Sequence, residues 1–300
     1  MSEMRVRVAV EKFLAWAGRN LAEGTVREYR RYLQWFTREV QNCHVGKLRA
    51  YHLVTWGTTW HRVQAVQRCW NWLLEVEYIK RSPFAKIKLP KLGKRKRIFT
   101  RAEFARLLRA ARIDFRAFLI AMRESGARPQ EVRVMRWDQI FAADAQLKFD
   151  DALGLGRCYF LFAEYKARER RNDPDEPRLI PISRRFGRML QRLAKRCKDR
   201  KSEVFQTQRG RAWTKESVRL RMQRLRRRLK FGVDQRGEQL VAYSIRHTTG
   251  TTMTVAGVPE KIIAQIFGHS NTRTTQRYQH PQPGDLLNAM DRLRPAAKKR

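Results

Sequence analysis

Tyr278 lies in the stretch Phe267–His280, FGHSNTRTTQRYQH, where hydroxyls, arginines and imidazoles crowd a phenol that has almost no apolar neighbour after Phe267. Such surroundings suit a phosphate better than a core. Two earlier stretches carry the cations a phosphate needs. In SGARPQEVRVMRW, Arg128 stands between Gly126, which stops one helix, and Pro129, which suits the first turn of the next. Free amides and the helix dipole favour an anion there. In AYSIRHTTGTT, Arg246 and His247 adjoin near a helix start, and His269 follows the end of another helix. Guanidinium groups from two separate segments can clamp the non-bridging oxygens of one phosphate and stabilise charge that builds in a pentavalent transition state. Taken singly, Arg128 also reads as a surface arginine in a helix–helix turn.

The whole chain favours a polyanion. Sixty-six Lys and Arg oppose 28 Asp and Glu, a formal net charge of +38 over 300 residues. An excess of this size repels itself until a partner neutralises it, and nucleic acid does so with release of counterions. Arginine-rich composition alone does not account for it, because the acidic residues are also few. No run approaches the roughly 20 apolar residues that span a bilayer. The start, MSEMRVRVAVEKF, mixes charge with apolar residues instead of forming a signal peptide. A soluble, cytoplasmic protein without membrane partners is expected. Cys43, Cys69, Cys158 and Cys197 are scattered with no CxxC pair and no histidine at ligand spacing, so neither a disulfide nor a metal site is expected.

Elements that position these residues fall into two parts. Residues 1–86 read as a small helical domain: Val10, Phe13, Leu14 and Ala17, then Tyr29, Tyr32, Leu33 and Phe36, recur at helical spacing. Thr25 is the expected cap of the second helix, a third helix is expected over Val45–Val54, and a fourth over His61–Tyr78. Trp60, Trp70 and Trp72 read as core rather than as base-stacking platforms, whereas Arg27, Arg30 and Arg31 lie on an outer face and are candidate DNA contacts. Residues 87–99 lose periodicity and carry Lys94, Arg95, Lys96 and Arg97, the composition of a basic linker that can lie on phosphates.

A second domain over residues 100–300 opens on Thr100-Arg-Ala-Glu103, the form of a capping box. Helices are expected over Arg101–Ala111, Phe115–Glu124, Pro129–Arg136, Ser183–Lys198, Thr214–Lys230, Ser244–Thr254 and Pro259–Phe267. Short strands are expected at Gln146–Asp150, Arg157–Ala163 and Arg178–Ile182, with a hairpin tip at Lys166–Pro177. The fold class is therefore mainly α with a small antiparallel sheet. Along RLRMQRLRRRLK, Arg219, Arg224 and Arg228 form a basic helical stripe suited to phosphate contact.

The order of these stretches resembles the tyrosine recombinase, or phage integrase, family. GARPQEV is similar to its first arginine box, IRHTTGTT to its second, and IIAQIFGHSNTRTTQRYQH to its LGHSSIxTTxxYxH ending. The resemblance runs through residues 99–280; the first helices match the family's core-binding domain, of SAM-like type, only in size and position. It implies that Arg128 and Arg246 bind the scissile phosphate, His269 hydrogen-bonds it, and Tyr278 is the nucleophile of a 3′-phosphotyrosine intermediate. It further implies that Lys166, in FAEYKARERR, is the general acid, with Lys148 as a substitute. Glu131 supports the arginines and His247 is structural. A homotetramer on two double-stranded DNA sites, a tail from about residue 281 that docks on a neighbour, and no cofactor are implied as well.

Two departures stand out. The second box begins with Tyr243 where the family has histidine, and a phenol with a pKa of about 10 is a poorer base at neutral pH than an imidazole at about 6.5. The insertion RNDPDEP, with Asp173, Asp175 and Glu176, also lengthens the hairpin after Lys166. Three rivals follow: a DNA-binding relative that has lost cleavage, a type IB topoisomerase, and a basic RNA-binding protein that leaves the boxes unexplained.

Overall fold

In the first helix, α1 (Val6–Asn20), the apolar positions Val6, Ala9, Val10, Phe13 and Ala17 share one face and are buried along it. In the computed structural model the described residues are 4–90, 97–143, 146, 148–162, 178–197, 199, 201–235 and 237–269. The chain divides into two units, Met1–Lys94 and Arg95–Arg300.

The first unit continues with α2 (Glu23–Glu39), α3 (Ala50–Trp56) and α4 (Trp60–Glu75). Its core is aromatic. Phe36 meets Trp56 and Trp70 at centroid distances of 5.2 and 5.8 Å, and Phe84 closes on Trp70 at 5.2 Å. Trp70 and Trp72 are buried, as their spacing predicts, while Trp60 is half-buried. Each large ring so buried contributes about 1.5–3 kcal/mol. Two expectations fail here. Thr25 does not cap α2: the helix begins at Glu23 behind Ala22, without a side-chain cap. The helix expected over Val45–Val54 is a 3-10 turn at Val45–Lys47 followed by α3, because Leu48 and Arg49 are extended.

The second unit is helical around a three-stranded antiparallel sheet ordered β1 (Ile140–Ala142), β2 (Cys158–Phe162), β3 (Arg178–Ile182). Its helices are α5 (Arg101–Ala110), α6 (Ile113–Ser125), α7 (Pro129–Arg133), α8 (Phe149–Leu155), α9 (Arg184–Ala194), α10 (Lys215–Arg228), α11 (Ala242–Val255) and α12 (Glu260–Phe267). Local signals set several ends. Thr100 Oγ1 accepts from the Glu103 amide at 3.1 Å and Glu103 Oε2 accepts from the Thr100 amide at 2.9 Å, completing the capping box. Ser183 and Thr214 cap α9 and α10. Cys158 pairs with Ile182, Phe160 with both Ile140 and Ile180, and Phe162 with Arg178, so one face of the sheet enters the core.

The strand expected at Gln146–Asp150 is absent. β1 lies earlier, and Phe149–Leu155 is α8, which buries Ala152 and Leu153. Lys148 is consequently an exposed residue at the start of a helix, not a strand residue. Among the described residues no helix is long and apolar enough to cross a membrane.

Candidate active site

Arg128 precedes α7 because the chain turns sharply after α6. Gly126 ends α6 in the left-handed region at φ 62°, and Pro129 starts the next helix. Glu131, one turn on, folds back: its Oε2 accepts from the Arg128 amide and its Oε1 from Arg128 Nη1, both at 2.7 Å. This carboxylate is buried, and a second guanidinium reaches it, since Arg178 Nη1 on β3 lies 2.9 Å from Glu131 Oε1. Burial on its own would raise the Glu131 pKa. The arginines Arg178, Arg128 and Arg246, with the Arg128 amide, overcome that and hold it at about 2.

Arg246 enters from α11 and is fully buried. Its Nη1 donates to Gly126 O at 2.7 Å and its Nη2 to Phe267 O at 2.7 Å, while the guanidinium stacks 4.2 Å from the Phe267 ring centroid. Its Nη2 also meets His269 Nε2 at 3.0 Å. Arginine offers only donors, so the imidazole nitrogen that faces it can serve this contact only as an acceptor. One residue thus ties the turn before Arg128 to the end of α12 and to His269. Three stretches that are far apart in sequence meet around it.

Three guanidinium groups, Arg128, Arg178 and Arg246, face the one carboxylate of Glu131. Buried cations need compensation, and among the described residues Glu131 supplies it to Arg128 and Arg178 directly. Tyr243, in the first turn of α11, is 37% exposed and meets His247 edge-on at 4.9 Å. Lys166 and Tyr278 lie outside the described residues.

Residue type and motif spacing do not point to Arg178. Its signal is one of phase: in RLIPI it alternates with the buried Ile180 and Ile182, so a charge occupies an inward position. Burial lowers its pKa first, Glu131 works against this and Arg246 adds to it, leaving the guanidinium at about 10. It remains charged at neutral pH.

The candidate DNA contacts differ in how free they are. On α2, Arg27 and Arg31 are exposed and pair with Glu23 at 2.5 Å and Glu28 at 3.6 Å, and Arg30 is exposed beside them. Nearby, Arg31, Trp35, Arg38, Thr59 and Arg62 line a concavity in which Arg62 stacks 4.3 Å from the Trp35 ring centroid. On α10, Val218, Met222 and Leu225 face inward while Arg219, Arg224 and Arg228 are exposed, Arg219 against Glu216. Lys94, Arg95 and Lys96 lie outside the described residues. Arg97 is already engaged: its amide donates to Glu238 at 2.8 Å and its Nη2 to Glu103 at 2.5 Å.

Residues 97–284 match the phage integrase family. The XerC tyrosine recombinase of Chlorobaculum parvum is 25% identical over 323 residues, 96% of this chain and 94% of its own. The Tn1549 transposon integrase, solved in complex with a circular intermediate DNA, superposes with a TM-score of 0.69 at 17% identity, covering 97% of this chain and 100% of that one. The lambda integrase, solved as a tetramer bound to a Holliday junction, gives 0.71 at 12% identity over 94% of this chain and 81% of that one. At these identities the structural likeness is one of fold.

Proposed function

Since the chain belongs to the phage integrase family, the tyrosine-type site-specific recombinases that act on DNA, we propose that it cuts and rejoins duplex DNA through Tyr278. The phenolic oxygen of Tyr278 bonds to phosphorus as the bond to the 5′-oxygen breaks. The phenol gives up its proton to water, and the departing 5′-oxygen takes one from Lys166, whose amine is left neutral. The 3′-phosphotyrosine conserves the bond, and a 5′-hydroxyl from the partner strand reverses the step.

Arg128 and Arg246 hold the non-bridging oxygens and His269 donates to one of them, so charge is met where it develops. Glu131 keeps the arginines in place, His247 has a structural role beside the Tyr243 ring, and Tyr243 contributes a hydrogen bond in place of the family's histidine. Arg27, Arg30, Arg31, Arg219, Arg224 and Arg228, with the linker Lys94, Arg95 and Lys96, track the phosphates. Four copies assemble on two DNA sites in the cytoplasm, and the division into a core-binding domain, a basic linker and a catalytic domain serves that assembly. The observation that carries this reading is the meeting of the Arg128 turn, α11 and His269 around the buried Arg246.

The test uses a duplex recovered from a randomised pool by binding to the chain, then nicked near its centre so that cleavage traps the enzyme. A denaturant-resistant protein–DNA adduct is expected from the wild type and none from Tyr278→Phe. An adduct that persists in Tyr278→Phe refutes the assignment of the nucleophile. Tyr243 motivates the second reading, a relative that binds DNA without cutting it, and tight binding with no wild-type adduct would favour that one.

A further inference from the structure

β3 spends an inward position on a charge. Arg178 has no exposed side-chain surface, and a buried guanidinium is stabilised less than a well-packed apolar side chain of the same volume unless geometry demands it. Its contacts indicate what the demand is. Nε and Nη2 fork onto Ile266 O at 2.9 and 2.7 Å, while Nη1 lies 2.9 Å from Glu131 Oε1. Ile266 and Phe267 are the last two residues of α12, whose final carbonyls have no partner within the helix. Arg178 from β3 takes the first of these carbonyls and Arg246 from α11 takes the second.

The chain then leaves α12 through Gly268 at φ 60°, packed so closely on Arg178 that a Cβ there would stand 2.6 Å from Arg178 Cδ. Its next residue is His269, whose Nε2 meets Arg246 at 3.0 Å. The direction in which His269 departs is therefore bounded by Arg178 on one side and Arg246 on the other. Through Glu131, Arg178 also touches the carboxylate that holds Arg128.

We propose that Arg178 is a positioning residue for DNA cleavage: it locks the end of α12 against the Glu131–Arg128 turn and so fixes where His269 meets Arg246. This rests on the reading of the site given above. Its action is geometric, so charge alone does not replace it. A lysine keeps the cation but loses the planar fork that spans Ile266 O and Glu131 together.

The experiment compares wild type, Arg178→Lys and Arg178→Met with the nicked duplex described above. It records the rate of adduct formation, DNA affinity by gel shift at fixed salt, the melting temperature, and the imidazole ¹⁵N shifts of His269. For Arg178→Lys, adduct formation at least 10-fold slower is expected, with affinity within threefold and melting within a few degrees of wild type. The His269 Nε2 resonance is expected to move as its contact with Arg246 alters. Adduct formation within threefold of wild type in a folded Arg178→Lys overturns the proposal, and so does a loss matched by an equal loss of DNA affinity. If neither variant folds, Gly268→Ala presses on the same contact while Arg178 stays in place, and unimpaired cleavage there overturns it too. Failure of the wild type to form any adduct counts against the cleavage chemistry, whereas a wild-type adduct with unchanged variants counts against Arg178 alone.

Discussion

The two units of this chain differ in where they place charge: both carry exposed ion pairs, such as Arg219–Glu216 in the second, but the second also buries a cluster. In the first, the pairs Arg7–Glu11, Arg27–Glu23, Arg31–Glu28 and Arg68–Glu75 all sit on the surface, with side-chain exposures of 34% or more, over a core made of rings and aliphatics. In the second, Glu131, Arg178 and Arg246 are buried and bonded to one another's surroundings. Exposed pairs are worth about 0–1 kcal/mol and exchange partners readily. Buried ones are costly to break, because removing one member strands the other away from water. The first arrangement suits a surface that trades its carboxylates for phosphates of any sequence. The second suits a site whose distances must not change while a bond to phosphorus is made and broken.

The sharpest way to break this comparison is to neutralise one carboxylate in each unit. Glu131→Gln leaves Arg178 and Arg128 without their counter-charge and is expected to cost about 3–5 kcal/mol, read as a fall in melting temperature of roughly 10 °C. Glu23→Gln, at 87% exposure, is expected to change stability by less than about 0.5 kcal/mol. Equal effects would mean that burial does not separate the two kinds of pair.

The same carboxylate gives a pH signature. With a folded pKa of about 2 against an ordinary 4.5, Glu131 binds fewer protons folded than unfolded between those values. Its contribution, about 3 kcal/mol, is complete above pH 4.5, falls as the pH drops towards 2, and is gone below that. Thermal melts from pH 6 to 2 should therefore decline more steeply in wild type than in Glu131→Gln. A parallel decline would show that other groups dominate acid unfolding.

How far the sequence reveals this depends on whether the cause is local. The capping box at Thr100, the stop at Gly126 and the strand RLIPI are set by residues within a few positions, and each lies where the pattern puts it. α8 could not be read that way. The alternating QLKFD that runs into its first turn suggests a strand, but the helix is secured by distant packing: Gly187 of α9 comes so close to the Leu153 carbonyl that no Cβ would fit. Thr25 failed within a local context: α2 starts two residues earlier, where Glu23 pairs with Arg27 one turn on at 2.5 Å. At the site, the boxes were legible because chemistry fixes residue type. Arg178 was not, because its partners Glu131 and Ile266 lie 47 and 88 positions away.

Thr100→Ala probes an intermediate case, a cap at the entrance of the second unit. Thr100 Oγ1 satisfies the Glu103 amide, and Glu103 also holds Arg97 at 2.5 Å. Loss of the cap is expected to cost about 1 kcal/mol. If the clasp on Arg97 is cooperative with it, the double variant Thr100→Ala with Arg97→Ala should lose less than the sum of the single changes. Strict additivity in urea melts would show the two contacts to be independent.

The smallest effect on stability is expected from Arg27→Ala, and it is informative because it should be small in one measurement only. The Arg27 side chain is 75% exposed, and its single pairing, with Glu23 one turn away, is worth about 0.3–0.5 kcal/mol. Removing it should leave the melting temperature nearly unchanged. If the guanidinium gives up Glu23 for a phosphate, the slope of log affinity against log salt should become shallower by about one, with no change in the order of preferred sequences. An unchanged slope would mean that Arg27 does not meet a phosphate, and the contrast between the exchangeable surface of the first unit and the buried Glu131 cluster of the second would then have to rest on Arg30, Arg31 and the Trp35 concavity instead.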